Sequence, residues 1–261
     1  MDIEGGVAIV TGSSSGVGAA CAVQLAQRGC HVVINYAHNE PGARATEERC
    51  QAEGVETLVV KADIATDENC RRMATAADEK WGRIDALVNN AGTTKFVAHT
   101  DLEGLSKQDF LDIYSVNTVG AYQMVRAVAP VMQRGGRGSI VNVASVAAVM
   151  GIGSSIAYAA SKGALVTMTL SLARVLGPEI RVNAVCPGFI QGEWLREGMG
   201  AEAYERTKEY LETTTPLKLT TTPDTVSDAI RYFIEGADVV TGETLMVDGG
   251  QHLNLAPLTR R

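Results

Sequence analysis

The chain has 261 residues, 23 Lys plus Arg against 30 Asp plus Glu for a net charge of −7, and is 46% hydrophobic. That length buries a sizeable core, and the apolar content together with 27 glycines lacking a collagen period excludes a disordered or fibrous chain. An acidic chain without a basic stripe is a poor nucleic-acid binder, and no run reaches the roughly 18 uninterrupted apolar residues of a membrane span.

In chain order, the first strand is expected at 7–10 and ends in Thr11-Gly12-Ser13-Ser14-Ser15-Gly16-Val17-Gly18, which opens a helix over 17–28. A strand, a glycine turn and a helix N-terminus bring backbone N–H groups and partial positive charge to a pyrophosphate. The spacing Gly-x3-Gly-x-Gly also suits a turn with packing duties alone. The second strand, 32–35, ends at Asn35-Tyr36, where an acidic residue would grip the ribose 2′-OH of NAD. That place is neutral, which admits the 2′-phosphate of NADP. Residues 13–15 hold no Arg or Lys, and only His38 and Arg44 lie nearby.

A helix at 42–53 and a strand at 57–60 lead to Asp63-Ile64; a helix at 68–81 and a strand at 86–89 lead to Asn89-Asn90-Ala91-Gly92. Both motifs sit at strand carboxyl ends, where open α/β sheets bind ligands. Asp63 is either an adenine contact or a turn carboxylate. Ala91 and Gly92 allow a flat ring to lie against backbone, and Asn90 can tie strands together through its amide.

One long helix is expected over 108–133, with Asn117 in its interior. A polar amide among apolar neighbours needs a partner, either a buried hydrogen bond or a water in a proton relay. The strand at 139–143 is followed by Ser145, whose hydroxyl can donate to a substrate oxygen at the sheet edge. A helix over 158–176 opens with Tyr158-Ala-Ala-Ser-Lys162. Positions i and i+4 share a helix face, so phenol and ammonium project toward one pocket. The cation is expected to lower the phenol pKa from about 10 toward the working range of an acid–base catalyst. Alone, Tyr-x3-Lys also describes an exposed helical pair.

A strand at 180–185 runs into Pro187-Gly188-Phe189-Ile190, and a helix at 225–235 and a strand at 244–247 follow. Between them, 191–215 is a charged, partly helical insertion expected to act as a substrate lid. Phe96, His99, Met150, Ile152, Trp194, Leu195 and Tyr204 fall in segments expected to build the substrate pocket, as recognition or as lid packing. Alternating β and α elements with continuously apolar strands give an α/β fold: a Rossmann-type, doubly wound parallel sheet with helices on both faces. The chain reads as a single domain over 1–261. Its five cysteines lack framework or Cys-x-x-Cys spacing, and its four histidines offer no metal-ligand spacing. With the acidic start Met1-Asp2-Ile3-Glu4, they point to a reducing cytoplasm.

Thr11-Gly12-x3-Gly16-x-Gly18, Asp63, Asn89-Asn90-Ala91-Gly92, Asn117, Ser145, Tyr158-x3-Lys162 and Pro187-Gly188, in that order, resemble the short-chain dehydrogenase/reductase superfamily in its roughly 250-residue branch. The resemblance implies a seven-stranded Rossmann sheet and a tetrad of Asn117, Ser145, Tyr158 and Lys162. It also implies cofactor contacts at Gly12, Ser14, Ser15, Gly16, Val17, Gly18, Asn35, Tyr36, Asp63, Ile64, Asn90, Ala91, Gly92, Tyr158, Lys162, Pro187, Gly188 and Ile190. In that scheme Tyr158 exchanges a proton with the substrate oxygen, Ser145 holds that oxygen, and Lys162 tunes the phenol and contacts the nicotinamide ribose. Thr241-Gly242 and Val247-Asp248-Gly249-Gly250 resemble the last strand of members that form homotetramers.

The expected activity is hydride transfer between NADP(H), favoured over NAD(H), and a small carbonyl or secondary alcohol. Within the superfamily the chain is most similar to 3-oxoacyl-carrier-protein reductases and related carbonyl reductases. It departs from them at Ser14 and Ser15, where many carry a basic residue, and in a longer 93–105 segment. An NAD-dependent alcohol, polyol or sugar dehydrogenase, or a non-catalytic dinucleotide-binding protein, are the alternatives.

Overall fold

The computed structural model describes residues 1–253. Strands β1 (Val7–Val10), β2 (His31–Tyr36), β3 (Thr57–Lys61), β4 (Ala86–Asn89), β5 (Gly138–Val143), β6 (Ile180–Pro187) and β7 (Thr244–Val247) form one sheet in the order β3-β2-β1-β4-β5-β6-β7. Every pairing is parallel. All residues of β1, β4 and β5 are buried, so β1 is apolar along its length and the apolar residues of β4 and β5 do not alternate with exposed ones. The strand order reverses between β1 and β4, so a crevice opens at their carboxyl ends.

The helices are α1 (Gly16–Ala26), α2 (Glu40–Gln51), α3 (Asp67–Trp81), α4 (Lys107–Tyr114), α5 (Ala121–Arg134), α6 (Ala147–Met150), α7 (Ile156–Leu176), α8 (Glu193–Met199), α9 (Ala201–Thr214) and α10 (Pro223–Arg231). One face of the sheet packs Val10, Ile34 and Val88 against Cys21 and Leu25 of α1 and Val226 and Ile230 of α10. The other packs Ile9, Leu87 and Ile140 against Met73 of α3, Met124 and Val128 of α5 and Leu172 of α7. These are the two helical layers of a doubly wound fold.

The single helix expected over 108–133 is instead three segments. Between α4 and α5 the chain widens into a π turn, Ser115–Gly120. Such turns replace the i→i+4 ladder with a looser one and cost stability unless tertiary bonds hold them. Here Gly120 meets β3's exit so closely that an added Cβ would lie 2.9 Å from Ile64 Cδ1. The 191–215 segment is helical as expected, forming α8 and α9.

Candidate active site

The dinucleotide end is built around Thr11. Its Oγ1 accepts the N–H groups of Asn90 (2.9 Å) and Ala91 (3.0 Å) and donates to Val88 O (3.2 Å), locking the end of β1 to the end of β4. Asn90 Nδ2 donates to the carbonyls of Thr11 (2.9 Å) and Gly12 (3.1 Å), so its amide ties the two strands as expected. A Cβ on Gly12 would come 2.9 Å from Ala91 Cα, and one on Gly18 would come 2.4 Å from Gly12 O. Both glycines therefore serve close packing.

Gly16 is different: its φ is +54°, and nothing lies within 4 Å of an added Cβ. Ser15 caps α1 by position but makes no side-chain hydrogen bond, so no side chain satisfies the first N–H groups of the helix. Ser14 and Ser15 are partly or fully exposed beside them, whereas Val17 is buried in the core. Uncapped donors beside open glycine backbone fit a dinucleotide pyrophosphate. Asp63 is exposed, and its Oδ1 accepts Ala65 N at 2.9 Å, so the turn role is realised with one oxygen. Ile64 is buried, and its carbonyl accepts Gln123 Nε2 at 2.8 Å.

Asn35 stands near the end of β2 as expected, but its side chain is buried. It is 1% exposed; Oδ1 accepts Gly12 N (3.0 Å) and Nδ2 donates to Ala62 O (2.9 Å) and Val60 O (3.3 Å). Its side chain is a brace beneath the glycine turn. Successive strand residues face opposite ways, so this brace and the strand-end position are different residues. The strand continues to Tyr36, buried and linked to Glu40, and residues 37–39 form the rim of the crevice.

At the other end, α7 begins at a true cap: Ser155 Oγ accepts Tyr158 N at 3.3 Å. One turn later Lys162 is buried, its Nζ donating to Val143 O at 2.8 Å and standing 5.7 Å from the Tyr158 ring centroid. Ser145 follows β5, accepts Ala147 N at 3.1 Å and hydrogen-bonds the Tyr158 phenol. Asn117, 1% exposed, lies in the π turn; Oδ1 accepts Thr93 N (2.8 Å), and Nδ2 donates to Thr93 O (3.0 Å) and Ser161 Oγ (3.0 Å). Gly92 completes the floor: an added Cβ would lie 3.3 Å from Asn117 Oδ1 and 3.6 Å from Lys162 Nζ. The fold thus brings all four tetrad candidates to one sheet edge.

Electrostatics correct one expectation. Burial pushes the Tyr158 phenol up to about 12, with the Ser145 hydrogen bond pulling the other way, and burial lowers Lys162 to about 8. Desolvation is the largest influence on the phenol, while the Lys162 ammonium is directed to the Val143 carbonyl. At neutral pH the phenol holds its proton.

Pro187 is buried and its carbonyl accepts Val146 N at 2.9 Å, joining the end of β6 to the loop that carries Ser145. Gly188 allows Asp248 to approach, since an added Cβ would meet Asp248 Cβ at 2.7 Å, and Ile190 bridges to Thr221. Over this edge, Tyr204 is buried against Phe189 (centroids 5.0 Å apart), so it packs the insertion rather than facing the cleft. Phe96 and Trp194 meet at 5.9 Å, joining the loop after β4 to α8. Met150 and His99 are half-buried and Ile152 is exposed. Thr93, Ser155 and Ser161 were not singled out by the sequence; their only signal is the spacing of small hydroxyl residues around Tyr158 and Asn117.

The family model described as enoyl-(acyl carrier protein) reductase matches residues 12–252. The chain is 40% identical over 96% of its length to an assigned ketoacyl reductase 2 of the granaticin polyketide synthase of Streptomyces violaceoruber, covering 97% of that protein. It is 36% identical over 97% of its length to L-rhamnose 1-dehydrogenase (NAD(P)(+)) of Sphingomonas sp. strain SKA58, covering 98% of it. A crystal structure of a short-chain dehydrogenase/reductase assigned in Burkholderia xenovorans superposes with a TM-score of 0.89 at 36% identity, over 95% of this chain and 98% of that one.

Proposed function

The chain belongs to the short-chain dehydrogenase/reductase family and is an NAD(P)-dependent oxidoreductase of carbonyl and alcohol groups, and from that premise we propose that it interconverts a small, partly apolar ketone and its secondary alcohol with NADP(H). The observation that carries this reading is the convergence of Ser145, Tyr158, Lys162 and Asn117 beside Gly92. Bound in the crevice, the dinucleotide supplies or accepts the hydride.

Ser145 holds the substrate oxygen, and Tyr158 donates its proton to that same oxygen. A phenol pushed up to about 12 retains its proton at neutral pH, which suits the reduction direction; oxidation calls for higher pH. Lys162 spends one donor on Val143 O and keeps others for a ribose hydroxyl. Fixing acid and oxygen-holder on one rigid edge supplies orientation and electrostatic stabilisation together.

NADP(H) is favoured because residues 35–39 contain no carboxylate to repel a 2′-phosphate. The second reading, NAD(H), is favoured by Arg44: its guanidinium is shared between Glu47 (2.9 Å) and Glu40 (3.6 Å) and is not free for a phosphate. The segment 191–215 is the lid of a single domain, with Phe96 and Trp194 forming an apolar wall. The assembly is a homotetramer of the cytoplasm, where five free, buried cysteines stay reduced.

A spectrophotometric screen of ketones, ketoesters, sugars and polyols with both cofactors tests this. Turnover with a higher kcat/KM for NADPH is expected; binding of cofactor without turnover of any substrate overturns it.

A further inference from the structure

Tyr158 is gripped at both ends of its own residue. Its N–H donates to Ser155 Oγ at 3.3 Å, and its carbonyl accepts Ser161 Oγ at 2.7 Å. Ser161 is itself fully buried and accepts Asn117 Nδ2 at 3.0 Å, while its carbonyl accepts Thr118 Oγ1 at 3.1 Å. Asn117 continues the chain of bonds to both backbone groups of Thr93, the residue directly after Gly92. One hydroxyl therefore joins three pieces: the loop flooring the crevice, the π turn, and the helix turn carrying phenol and ammonium.

We propose that Ser161 is a positioning residue for the reaction, its hydroxyl holding the Tyr158 turn in register with Asn117 and the floor at Gly92. Three considerations support it. A π turn relaxes toward α geometry unless tertiary bonds hold it open, and at Ser115–Gly120 the Asn117 amide donates one of those bonds to the Ser161 hydroxyl. A buried amide that loses one of its acceptors seeks another, so removing the hydroxyl frees Asn117 to turn. Ser145 reaches the phenol from the loop after β5, a different piece of chain, so a small shift of the α7 turn lengthens that contact directly.

The inference rests on Tyr158 being the proton donor. Steady-state kinetics, pH profiles for alcohol oxidation and melting temperatures are compared for wild type, Ser161→Ala, Ser161→Cys, Ser161→Thr and Thr118→Val. Ser161→Ala is expected to lower kcat roughly tenfold, to leave cofactor KM within about twofold and to move the alkaline limb of the profile upward. Ser161→Thr, which keeps the hydroxyl and can bond the same i−3 carbonyl, restores both. Thr118→Val, which removes the other tie without touching the hydroxyl, changes the melting temperature only. Where Ser161→Ala does not fold, the nearly isosteric Ser161→Cys takes its place. Loss of stability with wild-type kcat and pH profile overturns the proposal, as does a Thr118→Val variant with the same kinetic defect. Full activity in Tyr158→Phe instead removes the underlying reading, so the two failures are distinct.

Discussion

The ammonium of Lys162 donates to the carbonyl oxygen of Val143 at 2.8 Å, deep at the carboxyl end of β5. No carboxylate accompanies it, and burial lowers its pKa from 10.5 to about 8. Below pH 8 folded and unfolded states both carry the charge, and the fold bears the whole desolvation cost, on the order of 3 kcal/mol. Between pH 8 and 10.5 the folded state sheds the proton while the unfolded state keeps it, so the cost is relieved as pH rises. Lys162→Met is therefore expected to be more stable than wild type at pH 7, with the difference shrinking toward pH 10. Urea denaturation of both proteins across that range checks it; a pH-independent difference contradicts it.

Gly18 is pressed against the carbonyl of Gly12 and the amide of Asn90, at 2.4 and 2.5 Å from an added Cβ. Gly18→Ala must displace backbone rather than a flexible side chain. We expect a loss of about 1–3 kcal/mol in stability, as for overpacking of a core, together with at least tenfold weaker cofactor binding. Thermal melts and titration of cofactor fluorescence measure the two. Unchanged values for both would show that the turn yields more easily than its packing indicates.

Asn35 and Ala37 separate bracing from recognition. Asn35→Asp places a carboxylate against the carbonyls of Val60 and Ala62, which the amide now bridges. It is expected to destabilise the fold by roughly 3 kcal/mol without a specific change of cofactor preference. Ala37→Asp adds a carboxylate at the crevice rim and is expected to shift the kcat/KM ratio toward NAD by tenfold or more, since the charge opposes a 2′-phosphate. A cofactor switch in Asn35→Asp, or none in Ala37→Asp, would reverse the assignment.

The buried thiols set an alkaline limit. Burial raises Cys21, Cys50 and Cys70 to about 12 from 9.0. A neutral acid raised in this way contributes stability that is complete below pH 9 and is lost as pH climbs from 9 toward 12, because only the unfolded chain ionises. Stability is expected to fall steeply above pH 9, and native protein is expected to resist a thiol-specific reagent until denatured. Rapid labelling of several thiols in the native state would contradict this.

How far the chain could be read without coordinates depended on whether a feature was local. The continuous apolar run at 7–10 identified a covered strand, and the i, i+4 spacing of Tyr158 and Lys162 placed phenol and ammonium on one helix face. The π turn was not legible, because Ser115–Gly120 is held by bonds to Thr93 and Ser161, each distant in sequence. The bracing role of Asn35 was not legible, because its partners Gly12, Val60 and Ala62 are brought to it only by the fold. The direction of the phenol's pKa was misjudged for a related reason: burial is the largest influence, and burial is a property of the assembled fold.

The central claim is that the phenol of Tyr158 transfers the proton. Pre-steady-state reduction of a turned-over ketone by Tyr158→Phe, with cofactor affinity measured on the same preparation, tests it most directly. The account predicts a fall in the chemical rate of at least about a thousandfold with cofactor Kd within about threefold of wild type. A variant that reduces the ketone at the wild-type rate would contradict it.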